Sequence, residues 1–138
     1  MKKQLILLLI LFFLFNLFWE VAHSSLYDWN LPSLQNNVPY YISRILLSTF
    51  GDFIILSFMF IVISLKNRSY KWLNKPSKMD YVIIVLLGIS FAIVIEINAF
   101  IKEKWHYTKF MPTLFDIGVT PLLQLFVTAL LALWLVKE

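Results

Sequence analysis

The chain contains no cysteine. That single absence removes disulfides, thiolate catalysis, thiolate metal sites and covalent haem attachment. Charge is also scarce. Only 14% of the residues are Asp, Glu, Lys or Arg, against about 25% in an ordinary soluble domain. No phosphate loop, nucleophile elbow, metalloprotease motif or haem ligand pair is present. What fills the 138 residues is apolar: 60% are hydrophobic. A domain of this size has too little interior to hide so much apolar surface from water. A soluble monomer, a disordered tail and a nucleic-acid-binding domain are therefore set aside. The net charge of +4 does not restore a nucleic-acid partner, because the basic residues sit between long apolar runs. There they set orientation and touch anionic headgroups.

A bilayer core about 30 Å thick needs roughly 20 apolar helical residues to cross it. Four runs meet that length, at about 5–23, 45–65, 81–101 and 117–136. None alternates like a barrel strand, and helices satisfy their own backbone in lipid. The sequence therefore predicts an all-α fold, an antiparallel bundle of four transmembrane helices, as one domain over residues 1–138. Asn36 and Asn37 before Pro39 signal that the second helix starts near Pro39, ahead of its membrane span. Lys2 and Lys3 ahead of an apolar run also fit a signal peptide. The run is long and bulky and ends in Trp19 and Glu20, so it is read as a retained helix. Positive charge gives the direction. The N-terminus, the loop at 66–78 and the C-terminus hold eight basic residues, and the other two loops hold four. The expectation is a multi-pass protein of the cytoplasmic (inner) membrane with both termini in the cytoplasm. Membrane lipids are the expected partners. A second copy of the chain or another membrane protein stays open.

Ionisable groups within the hydrocarbon are costly and tend to mark function. Glu20, Asp52 and Glu96 each fall roughly 5–10 Å below the outer boundary at a rise of about 1.5 Å per residue. Gln124 of the fourth helix lies at the same level. Spacings of three and four put Asn16, Glu20 and His23 on one helix face, and Arg44, Ser48 and Asp52 on another. Thr120, Gln124 and Thr128 form a third stripe. Asn98 lies two residues after Glu96, about 200° around the helix, which sends it toward a neighbouring helix or the outer loop. Gly51 and Gly118 read as sites of close helix packing, and Pro121 as a residue that frees a carbonyl one turn back.

Carboxyl groups side by side in a low dielectric can hold and release a proton. The leading expectation is an acid–base enzyme acting on a lipid or isoprenoid, with isomerisation, cyclisation and hydrolysis all open. Glu20, Asp52 and Glu96 are its candidate catalytic groups. Asn98, Trp105, Tyr107 and Gln124 are its candidate substrate-binding residues. Glu20 and His23 have the spacing of a carboxylate metal site, but a second such motif is lacking, so no metal and no cofactor are expected. A non-enzymatic subunit or scaffold is the first alternative. A proton- or cation-coupled small transporter is the second.

Several short motifs then carry a resemblance: Trp19-Glu20-Val21, Leu26-Tyr27, Gly51-Asp52, Glu96 with Asn98, Trp105-x-Tyr107, Met111-Pro112 and Gly118-x-x-Pro121-Leu122-Leu123-Gln124. In these the chain resembles an uncharacterised family of small four-helix bacterial integral membrane proteins. The resemblance spans nearly the whole chain. It implies that the outer-layer residues belong to one shared feature, and it implies no reaction.

Overall fold

The computed structural model describes residues 2–28 and 38–137. Four long helices dominate it: α1 (Lys2–His23), α2 (Val38–Lys66), α3 (Lys78–Ile101) and α4 (Val119–Val136). Their 18 to 29 residues correspond to roughly 27 to 43 Å of helix. All four are long and apolar enough to cross a membrane, and the chain is a multi-pass membrane protein. Consecutive helices run antiparallel. Packing closes a ring: α1 lies against α2 and α4, α3 packs most closely on α4, and α2 meets α3 much less.

The outward faces carry large apolar side chains such as Ile10, Phe18, Ile54, Phe58, Leu86 and Val94, all well exposed. Water would not tolerate so broad a patch, whereas acyl chains would. The interior is knit from Leu8, Phe12, Leu56, Met59, Ile63, Ile84, Ala129, Ala132 and Leu133. Gly88 is a point of very close approach. A Cβ there would lie 2.8 Å from the Phe126 Cβ and 2.9 Å from its backbone nitrogen. Gly51, by contrast, has nothing within 4 Å of such a carbon. The expectation of close packing is corrected at Gly51 and belongs to Gly88.

One end of the bundle carries Lys2, Lys66, Lys78 and Val136, and its polar groups are well matched. Ser77 caps α3 reciprocally with Asp80. Asp80, 1% exposed, also accepts from Lys66 Nζ at 2.7 Å and Asn67 Nδ2 at 2.9 Å. Gln4 donates to Asn74 Oδ1 at 3.1 Å. Trp72 is buried and donates to Ser64 at 2.9 Å, so it is a packing residue.

The other end is built differently. After α1 a 3-10 turn (Ser24–Leu26) leads to Tyr27, which forms an antiparallel bridge with Tyr107. Asp28 N–H donates to the His106 carbonyl at 2.9 Å, and Thr108 N–H to that of Leu26 at 2.9 Å. Two short strands follow, β1 (Thr113–Leu114) and β2 (Ile117–Gly118), paired antiparallel. Phe115 and Asp116 turn between them with φ of 50° and 63°, the left-handed values a tight hairpin requires. The strand displaces the start of α4 from 117 to Val119. It also puts Pro121 in the first helical turn, where a missing N–H breaks no helical bond. Helix α2 begins at Val38, with Pro39 in its first turn, so Arg44 is helical rather than part of a loop.

Candidate functional site

Between the four helices, at the bridged end, lies a cavity of about 470 Å³. Every helix contributes: Glu20 and His23 from α1, Arg44, Ser48 and Asp52 from α2, Glu96 from α3, and Gln124 from α4. The three carboxyl residues thus reach one chamber. The helical spacing explains it. Residues three or four apart share a face, and each polar stripe turns inward, away from lipid.

Gln124 is the centre of the floor. It is buried, and its Nε2 lies 2.9 Å from Glu20 Oε1, 2.6 Å from Asp52 Oδ2 and 3.3 Å from Asn16 Oδ1. One amide group therefore joins α1, α2 and α4. It has only two N–H bonds to offer three acceptors, so the floor is rich in acceptors. Glu20 and Asp52 face each other across that one amide nitrogen, and carboxyls brought this close are able to share a proton. Glu20 Oε2 stands 3.4 Å from His23 Nε2. The other ring nitrogen, His23 Nδ1, is buried with no partner among the described residues.

Glu96, buried on α3, is gripped separately. Tyr107 donates its hydroxyl to Glu96 Oε2, and Trp105 Nε1 donates to the same oxygen at 3.3 Å. The Tyr107 oxygen in turn accepts from Gly118 N–H at 3.1 Å. The start of α4 thereby positions the tyrosine that positions the carboxyl. Tyr27 packs edge-on to His23 at 5.3 Å and to Trp105 at 6.1 Å. Burial, then the neighbouring carboxyls Glu96 and Glu20, pushes the Tyr27 phenol above its ordinary range. Burial, then its bond to Glu96, does the same to Tyr107. Both therefore stay hydrogen-bond donors well past neutral pH.

Of the residues singled out in the sequence, Glu20, Asp52, Glu96, Trp105 and Gln124 line the chamber. Tyr107 stands behind Glu96 and does not line it. Asn98 is half-buried and also outside the lining, consistent with its angle from Glu96. His23, Arg44 and Tyr27 line the chamber without having been placed in it beforehand. The stripe spacings held the signal for the first two. Tyr27 gave none beyond its place in the Leu26-Tyr27 motif. Glu20 and His23 are not joined by Asp52 or Glu96 in a metal-holding group; among the described residues no three His, Asp or Glu side chains stand in a grouping that could hold a metal ion.

Comparison with known protein families, with curated proteins and with solved structures found no match for this chain.

Proposed function

We propose that this protein is a membrane-embedded acid–base enzyme acting on a lipid or isoprenoid. It works near the outer leaflet of the cytoplasmic membrane, with both termini inside. The observation that carries the reading is the Glu20–Asp52 pair, bonded to one Gln124 amide in a chamber that Glu96 also lines. A carboxyl holding a proton can give it to a substrate double bond or carbonyl. A neighbouring carboxylate can take one from an adjacent carbon. The net change is a proton shifted within the substrate, with no oxidant and no leaving group. Glu20 and Asp52 form the proton-holding pair, with His23 beside Glu20. Glu96 is the third group, positioned by Tyr107 and Trp105.

Single replacements test this. Glu20→Gln, Asp52→Asn and Glu96→Gln proteins should accumulate normally while the lipid profile of the cells, read by mass spectrometry, changes. Reduced accumulation with an unchanged lipid profile supports a scaffold instead. One observation favours that second reading: the Gln124 amide ties three helices together, as a structural lock would. The transporter reading is weaker. Beneath the floor the core is closed by Leu8, Phe12, Leu56, Met59 and Leu133, an apolar layer that offers an ion no partners.

A further inference from the structure

Among the described residues the chamber has a gap in its wall. Leu47 and Gly51 both line it, and both are exposed on the outer surface of α2. Among the described residues nothing lies within 4 Å of a Cβ built on Gly51, so open space continues through this point. The far side of the seam is α3, which supplies Ala92 and Ile95 to the lining. Deeper along the same seam, Phe58 of α2 meets Phe91 of α3 edge to face, with centroids 6.0 Å apart, and closes it. On the other flank of α2, toward α1, a mostly apolar groove lined by Phe13, Leu46 and Phe50 shares Tyr40, Arg44 and Leu47 with the chamber. The loose contact of α2 with α3 is thus a framed opening at the depth of Asp52.

We infer that the chamber is loaded sideways from the bilayer, through the opening at Gly51, by a single-chain lipid whose head donates hydrogen bonds, a hydroxyl or an ammonium. This deepens the reading of the chamber as a lipid site and rests on it. The size agrees: about 470 Å³ is an ordinary small-ligand volume and holds a head with the first part of one chain, not a two-chain phospholipid. The remaining chain stays among acyl chains, because drawing it through water would expose it. The chemistry of the head follows from the floor. Glu20, Asp52 and Glu96 all present acceptor oxygens. Among the described residues no lysine or arginine forms an ion pair with any of them: the basic side chain beside Glu20 is His23, and Arg44, also in the lining, lies over the Trp105 ring with its guanidinium carbon 5.8 Å from the ring centre. A donor head completes such a floor, and an anionic head does not.

The test uses the full chain in phosphatidylethanolamine–phosphatidylglycerol vesicles and two photoreactive diazirine alcohols. One is built on hexadecanol and stays in the bilayer. The other is built on butanol and reaches the chamber from water, past the exposed Glu103, Lys104 and His106 at its rim. Labelled peptides are mapped by mass spectrometry. Wild-type protein and Gly51→Ala should take both labels within the chamber. Gly51→Trp, and the smaller Gly51→Leu, should lose the long-chain label and keep the short one. Undiminished long-chain labelling in Gly51→Trp would overturn the sideways route. Equal loss of both labels would overturn it too, because the new side chain would then be acting inside the chamber. Wild-type protein that takes no long-chain label would overturn the ligand class. Labelling does not depend on turnover. The expected Gly51 pattern beside unchanged lipid profiles in the carboxyl variants would therefore sink the enzyme reading and leave the route standing.

Discussion

Gln124→Leu replaces the side-chain amide by an apolar group of similar size, so it measures how the floor is held. The wild-type amide faces Glu20, Asp52 and Asn16 with two N–H bonds, so about two full bonds are lost. Between membrane helices such bonds average about 0.6 kcal/mol and reach about 1.7. Two of them set a range of about 1–3 kcal/mol. The orphaned acceptors push toward its upper part, because a buried polar group left unmatched costs about 1–3 kcal/mol by itself. We expect a loss of about 2–3 kcal/mol in reversible unfolding in mixed micelles, followed by tryptophan fluorescence. Gln124→Glu should be worse than Gln124→Leu, since it removes the donor and adds another acceptor to a floor already short of donors. The decisive comparison is a cycle with Asp52→Leu. In the Gln124→Leu background that second replacement removes an acceptor already orphaned, so it should cost at least about 1 kcal/mol less than in wild type. A Gln124→Leu cost below about 0.5 kcal/mol, or additivity within about 0.5 kcal/mol, would refute the shared amide.

Other outcomes follow from single contacts. Gly88→Ala should lower the unfolding midpoint, because its Cβ would collide with Phe126 backbone as well as side chain. Overpacking of this kind costs about 1–3 kcal/mol, and Gly51→Ala, with no neighbour to meet, should be close to neutral. Asp80→Ala removes the acceptor for Lys66, Asn67 and Ser77 and should cost about 2–3 kcal/mol by the same unfolding assay; breaking a buried pair costs about 3–5, and Lys66, more than a third exposed, recovers part of that in water. Tyr27 and Tyr107 both have phenols raised above the ordinary value, so the folded protein holds protons that the unfolded chain releases near pH 10. Their contribution to stability is complete below about pH 10 and falls as the pH rises further. Spectroscopic titration of the folded protein should therefore show nearly two fewer tyrosinates from this pair than the unfolded chain at about pH 11.5.

The fold was legible because lipid is an exacting solvent. A helix that must cross it needs a long apolar run, and the four runs stand apart in the sequence. The common depth of Glu20, Asp52, Glu96 and Gln124 was legible for a related reason: rise per residue and helical spacing are nearly fixed. What stayed hidden depends on partners across helices. Nothing local distinguishes Gly51, beside a carboxyl and facing a void, from Gly88, pressed against Phe126. Asn98 stood out through its nearness to Glu96 in sequence, yet 200° of helix separates them. Tyr107 was legible as an aromatic near the carboxyl layer, but its place behind Glu96 depends on Gly118 and the start of α4. The strands β1 and β2 are two residues long, too short to show any period.

The two ends of the bundle differ in how fully their polar groups are matched, and the difference bears on function. Around Asp80 and Gln4 every named side chain has a partner. At the chamber end, Trp19 Nε1, His23 Nδ1 and Thr49 Oγ1 are buried without one among the described residues, and Gln124 is outnumbered by its acceptors. Buried polar atoms are nearly always satisfied in a structure shaped for stability alone, so a lock that only held helices would have little reason to leave them open. Departures from local consistency concentrate where a chain serves something besides its own fold. His23 is the most telling of the three, because it is part of the chamber lining and touches Glu20 on one nitrogen while the other is unmatched. Replacing it with Asn, which can hydrogen-bond but has no imidazole to pass a proton, separates the two roles. If His23 only packs, stability alone should shift. If it serves the proton-holding pair, the pH dependence of turnover should change while the unfolding midpoint moves little.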